Sequence, residues 1–222
     1  MKRIPEPEIM DDIDQAKAYS NANFSTSNNL FVDFIINKID LNNYNNLNIL
    51  DLGCGPCDID ILLAQLMPYS KIYAIDGSKA MLCEAQKNIE KHNLINQIVL
   101  INSIIPEIDI NINKFDIIIS KDLLHHLENP DVLWKTIDRF SDKNSLIFIM
   151  DLIRPENEVE AKEIVEKVSG NEPDILKVDF YNSLLASYTI DEIKNMLYNK
   201  NFNFEIAKAG DRHYIIFMKK IS

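Results

Sequence analysis

Five apolar runs of about five residues each mark the first two thirds of the chain, at 47–52, 71–75, 97–101, 115–119 and 145–150. Between several of them, apolar residues recur at helical spacing. The spacing predicts helices over 58–67, with Asp58 as N-cap and Pro68 just past the end, over 78–92, with Ser78 as N-cap, and over 130–140. Short apolar strands alternating with helices are the pattern of a parallel sheet buried on both faces. Right-handed crossovers then make the sheet doubly wound, an α/β fold.

The ends follow a different rhythm. Helices are expected over 8–20 and 28–39, where Leu30, Phe31, Phe34, Ile35 and Ile39 mark one face, with a polar loop over 42–48. After Asp151 a helix is expected over 156–168, followed by the break Ser169-Gly170-Asn171-Glu172-Pro173. Residues 174–186 show no clear period. Thr189-Ile190-Asp191-Glu192 is a capping box that opens a helix to about Lys200. Two strands, 202–207 and 213–219, flank the turn Ala209-Gly210-Asp211. They form an antiparallel C-terminal hairpin on an otherwise parallel, seven-stranded sheet.

Composition changes this picture little: 222 residues, 46% hydrophobic and 26% charged, suit one domain with a full core. Charge changes it more. A net charge of −11 repels a phosphate backbone, so nucleic acid is not an expected partner. The basic pairs Lys2-Arg3 and Lys219-Lys220 sit at the ends and read as solvated charge. Three cysteines, Cys54, Cys57 and Cys83, do not make a disulfide framework. The first eight residues lack the apolar stretch of a signal sequence, and no run approaches the roughly 20 residues of a membrane span. The expected location is the cytoplasm, with no membrane partner.

With only 5 glycines, two in one loop are informative: Asp51-Leu52-Gly53-Cys54-Gly55-Pro56-Cys57-Asp58. Glycines between a strand and a helix let backbone approach a ligand closely. The dinucleotide fingerprint G-x-G-x-x-G fails here, because Asp58 stands at its third glycine. Asp51, at the end of the first strand, suits a cationic amino acid group better than a pyrophosphate. Asp76 ends the second strand about 25 residues later, where an acid binds a ribose diol. The two acids together match the demands of S-adenosylmethionine (SAM).

Three segments in order now resemble class I SAM-dependent methyltransferases: Asp51-Leu52-Gly53-Cys54-Gly55-Pro56, Ile75-Asp76-Gly77-Ser78-Lys79-Ala80-Met81-Leu82, and the stretch from Phe115 to Leu127 that includes Lys121-Asp122-Leu123-Leu124-His125-His126. The resemblance covers roughly residues 47–151. It implies that Gly53 and Gly55 border the methionine part of SAM and that Asp76 holds the ribose. It places Gly77, Ser78 and Met81 beside the adenine, with Asn102 and Ser103 where the family often has an acid for the adenine amino group. Lys121 and Asp122 stand at the transfer mouth. The chain departs from the family at Cys57, near the third loop glycine, and at Ser141-Asp142-Lys143-Asn144, which replaces a Pro-Gly-Gly turn. The resemblance further implies one domain over 1–222. Residues 1–42 then form a helical lid that brings Tyr19 and Phe24 to SAM, and 154–187 form an insertion over the substrate mouth.

SAM is already an activated donor, yielding S-adenosylhomocysteine (SAH). The enzyme must align an acceptor, exclude water and, for a weakly acidic acceptor, remove a proton. His125 and His126, at the start of the helix after the fourth strand, are the candidate bases; Asp151 and His213 are further options. Acceptor contacts are expected from Asp151, Arg154, Tyr181, Asn182, Arg212 and His213. Each has a plainer reading: the histidines pack near the pocket, Asp151 caps or pairs with Arg154, and 211–213 is an exposed turn. Tyr19 and Phe24 also serve as helix-packing aromatics. A small-molecule acceptor is expected, because Lys121-Asp122-Leu123-Leu124 is not the Asn/Asp-Pro-Pro-aromatic motif of DNA amino-methyltransferases. No cluster of His and carboxylates at metal spacing stands out, so metal-independent transfer is expected. Three alternatives stay open. One is a thiol–disulfide oxidoreductase, because Cys54-Gly55-Pro56-Cys57 matches the thioredoxin tetrapeptide. The others are a non-catalytic SAM-binding module and transfer of a different group from a SAM-like donor. The acceptor, the accepting atom and the oligomeric state, a homodimer included, are not legible.

Overall fold

The computed structural model describes residues 1–6, 10–39 and 46–221. The start of the helix expected from Glu8 and most of the expected loop at 42–48 lie outside them. Two N-terminal helices, α1 (Ile13–Asn21) and α2 (Ser25–Lys38), precede the alternating core. The core runs β1 (Asn48–Leu52), α3 (Asp58–Leu66), β2 (Lys71–Asp76), α4 (Lys79–Lys91), β3 (Ile98–Asn102), β4 (Ile117–Lys121), α5 (Asp131–Phe140) and β5 (Leu146–Leu152). Then follow α6 (Glu158–Ser169), α7 (Asp174–Ala186), α8 (Ile190–Leu197), β6 (Phe202–Ala209) and β7 (His213–Lys220). The sheet order is β3-β2-β1-β4-β5-β7-β6, with β7 antiparallel to both β5 and β6 and the other pairs parallel.

The apolar strands bury both faces, and the period of two sorts their residues. Ile49, Ile117, Ile119, Phe148 and Met150 pack on one side with Phe31 and Ile35 of α2, Leu63 of α3 and Ile89 of α4. Leu50, Leu52, Ile118, Ile147 and Ile149 pack on the other with Leu133, Trp134 and Ile137 of α5 and Ile193 and Leu197 of α8. Each fully buried side chain of this size contributes about 1.5–3 kcal/mol, so the two layers carry most of the hydrophobic stabilisation.

Several expectations shift. β4 begins at Ile117 rather than Phe115, because the Phe115 and Asp116 amides bond to Phe140 and Asn48 while the strand continues to Lys121. The N-cap of α3 is Cys57, not Asp58; Asp58 is the first helical residue. His125 and His126 do not start a long helix. They lie in a single 3-10 turn, Leu124–His126, and α5 starts only at Asp131. Residues 174–186 form a full helix that hid from periodicity, because its last turn, Ser183 to Ala186, is buried all round. Arg3 is no solvated end charge. Its guanidinium donates to the carbonyls of Ala186, His125 and Leu127 and lies over the Tyr188 ring. Lys220 likewise bridges to Asp138 at 2.8 Å.

The contacts of the N-terminal segment place it over the carboxyl edge of the sheet, whereas Lys220 ends β7 at the amino edge. Ile4 bonds to Leu185, and Gln15 of α1 donates to Asp179 of α7 at 2.7 Å. Asp11 accepts from the Ser78 hydroxyl and the Ala80 amide, latching the N-terminal segment onto the start of α4. No helix among the described residues is long and apolar enough to cross a membrane.

Candidate active site

Strand order reverses between β1 and β4, and a doubly wound sheet opens a crevice at the carboxyl ends on either side of such a point. A cavity of about 220 Å³ lies there. Its floor is the loop after β1. Gly53 turns at φ +81°, and its amide and that of Cys54 both donate to the Ile75 carbonyl, at 2.8 and 3.0 Å. A Cβ on Gly53 would come within 2.9 Å of Leu123, whereas a Cβ on Gly55 would meet nothing within 4 Å. One glycine is thus required by packing, and the other leaves the cavity wall open.

Asp76 ties the second loop to the first. Its carboxylate accepts from the Gly55 amide through one oxygen and the Ser78 amide through the other, both at 2.8 Å. Each oxygen keeps a lone pair for a ligand. Burial pushes the Asp76 carboxyl upward, although the two amides favour its ionised form. Ser78 caps α4 by accepting from Met81. Behind this turn, the Asn102 side chain donates to the Asp76 and Gly77 carbonyls at 3.0 and 3.1 Å.

The cavity collects Tyr19, Phe24, Asp51, Gly53, Gly55, Asp76, Gly77, Ser78, Met81, Ser103, Lys121 and His126 from the residues expected by sequence. Tyr19 and Phe24 lie ring to ring at 4.6 Å. The cavity also takes in Met10, Asn28, Ile104, Ile105, Asp122 and Leu127. Asn102 supports the wall from behind. Asp51 is buried with its Oδ1 unpartnered, and burial beside Asp60 drives its carboxyl well upward.

The remaining expected residues sit around the cavity. His125 Nδ1 lies 2.6 Å from Asp151 Oδ1, and Asp151 Oδ2 accepts from the Leu124 amide at 2.7 Å. Burial alone would lower His125, but the Asp151 carboxylate outweighs it and the imidazole is raised. His126 stacks on it at 4.1 Å, and burial together with His125 pushes His126 well below the usual range. Glu6 lies 3.5 Å from His126 Nδ1. Lys121 and Asp122 form an ion pair, and His213 Nε2 stands 3.6 Å from Asp122. Burial lowers His213 to about 4. Arg154 is committed to the Ser187 carbonyl and Glu192, so it braces α8. Tyr181 meets Glu158, Asn182 is exposed, and Arg212 pairs with Asp211; all three lie outside the cavity.

Sequence reasoning passed over Asp60, Asp11 and Arg3, and it placed Asp122 at the transfer mouth without giving it a role. Asp122 carried one signal, its place at the end of β4; Asp60, inside an apolar helix segment, carried the signal of an acid on a buried face. The thiols do not have the character of a redox centre. Burial raises Cys54 to about 12, and the hydrogen bond with Cys54, together with burial, raises Cys57 as well, the reverse of an activated thiolate.

The model of a methyltransferase domain matches residues 43–211. The release factor glutamine methyltransferase of Flavobacterium psychrophilum is 30% identical over 193 residues, 85% of this chain and 56% of its own length. The ubiquinone biosynthesis O-methyltransferase of Rickettsia typhi is 25% identical over 207 residues, covering 87% of this chain and 82% of its own. Against the release-factor enzyme, the chain therefore spans little more than half the relative's length. Among solved structures, the plantazolicin methyltransferase BpumL with a pentazolic desmethylPZN analog and SAH superposes with TM-score 0.74 at 18% identity, covering 95% of this chain and 92% of that one. A SAM-dependent methyltransferase described as putative, from Methanococcus maripaludis, superposes with TM-score 0.73 at 22% identity, covering 99% and 98%.

Proposed function

The chain belongs to the methyltransferase-domain family, whose methyl donor is SAM, and from that premise we propose that it transfers the methyl group of SAM to an O, N or S atom of a small-molecule acceptor. The observation that carries the reading is the Asp76 carboxylate, bonded at once to the loop after β1 and to the cap of α4 on one wall of the cavity.

The residues fit SAM. Asp76 offers two acceptor lone pairs to the ribose hydroxyls. The unpartnered Asp51 oxygen lies beside the glycine turn, where the ammonium of the amino acid part needs an acceptor. Met81, Ile104, Ile105 and Leu127 supply apolar walls for a purine. SAM, when bound, supplies an electrophilic methyl group on a sulfonium. The chain's own residues do the rest. Tyr19, Phe24 and the latch at Asp11 cover the donor side and exclude water. His126 is the base that faces the cavity and takes the acceptor's proton; its lowered pKa keeps it neutral at neutral pH. His125, held by Asp151 and absent from the cavity wall, positions His126 through their stacked rings.

The whole chain acts as one domain, with residues 1–42 and 154–187 as covers. Those covers, and the acidic surface, favour a small acceptor over a protein or tRNA. The three free cysteines suit a reducing compartment, and we place the protein in the cytoplasm. The test is SAH production from SAM with panels of small hydroxyl, amine and thiol acceptors, of proteins and of tRNA. Turnover above background on a small molecule is expected. Turnover confined to protein or tRNA would overturn the acceptor class.

A further inference from the structure

We propose that Cys54, Cys57 and Asp60, with water as the fourth ligand, bind a thiophilic divalent cation of the zinc type behind the cavity floor. The three residues recur every third position, from the loop after β1 into the first turn of α3. Both sulfurs and an Asp60 oxygen lie within 4.8 Å of one another. Tetrahedral zinc with bonds of about 2.0–2.3 Å sets its ligands roughly 3.3–3.8 Å apart, a range compatible with that cluster.

The second observation is Asp60 itself. It is 0% exposed, its carboxylate meets only its own amide, the Cys57 thiol and Asp51, and it has no ion pair among the described residues. Buried acceptors of this kind are costly unless a cation or donor meets them. The nearest lysine of the cavity, Lys121, is paired with Asp122. Neither Asp60 nor Cys57 lines the cavity, so a ligand bound there does not reach them. Cys57 adds a third sign. It holds φ +65°, a conformation that glycine adopts without strain, so the thiol is kept at a backbone cost.

Two sulfurs and two oxygens favour zinc over magnesium or calcium, which prefer oxygen alone. Each thiol gives up its proton as its sulfur–metal bond forms, so loading releases protons. The ion sits outside the transfer step. It staples the loop after β1 to α3 with Gly55 and Pro56 held between ligands.

The experiment measures zinc in the purified full chain by emission spectrometry, then titrates chelator-treated protein with Co²⁺ and follows absorption. Cys57→Gly is the main variant, since glycine suits that backbone; Asp60→Asn is the second, and Cys83→Ser is the control. Expected are equimolar zinc and a thiolate-to-cobalt charge-transfer band, both lost in Cys57→Gly, kept in Cys83→Ser, and weakened about tenfold or more in Asp60→Asn. A folded wild type that takes up neither metal would overturn the proposal, and so would a band that persists in Cys57→Gly. SAH binding, measured separately, keeps this result distinct from the donor reading.

Discussion

Gly53→Ala and Gly55→Ala separate packing from ligand space in one loop. Both positions have positive φ, +81° and +51°, which costs an L-residue about 1–2 kcal/mol. At Gly55 little else is added, because no atom lies within 4 Å of the new methyl. At Gly53 the methyl meets Leu123 Cδ1 at 2.9 Å and Leu123 Cβ at 3.0 Å. The Cβ cannot rotate away, so backbone must shift, adding about 1–3 kcal/mol of overpacking. The totals are about 2–5 kcal/mol for Gly53→Ala and about 1–2 kcal/mol for Gly55→Ala. At roughly 2–4 °C per kcal/mol for a chain of this size, the first variant melts roughly 4–20 °C lower and the second roughly 2–8 °C lower. Affinity behaves differently. The Gly55 methyl stands in the cavity, so SAH binding weakens by about tenfold or more although the fold survives. Thermal melts and calorimetry on the two variants read both numbers. Gly55→Ala melting as low as Gly53→Ala, or binding SAH as wild type does, would refute the reasoning.

Other consequences follow from the same geometry. His126→Ala should lower kcat by about 10²-fold or more with little change in SAH affinity. In the wild type the acid limb of kcat should fall below pH 6.5, because the His126 pKa is lowered; a limb above pH 7 would remove His126 as the base. His213 is lowered to about 4 in the folded chain against about 6.5 unfolded, so the unfolded chain binds the extra proton between those values. Its stabilising contribution is complete above pH 6.5 and is lost as pH falls toward 4, by about 3 kcal/mol, and His213→Asn should flatten that part of the urea-melt profile. Arg3→Ala removes donors from three carbonyls and the contact with Tyr188, and should cost about 2–3 kcal/mol, read as a lower melting temperature. An unchanged melt would mean that the N-terminal strap does not hold the 3-10 turn.

The fold was legible because the strands are buried on both faces, so each left a continuous apolar run bounded by turn residues. Helix α7 was not, since burial around its whole last turn erases a helical face. The glycine turn, Asp51 and Asp76 stood out because strand ends in this architecture carry recognisable acids. The roles of Arg3, Asp60 and Asn102 depend on contacts that join distant parts of the chain, such as Arg3 with His125 and Ala186. No local period encodes those. The separation of His125 from His126 was also hidden. Adjacent in sequence and stacked in space, they differ in surroundings because Asp151 holds one, and only the other lines the cavity.

The most direct test is calorimetric titration of SAM and SAH into the wild type and Asp76→Ala, with melting curves to confirm that both are folded. The account predicts micromolar binding of both ligands by the wild type and loss of binding in the variant, which gives up the ribose acceptor and the tie to Gly55 and Ser78 together. A folded wild type that binds neither ligand would contradict it.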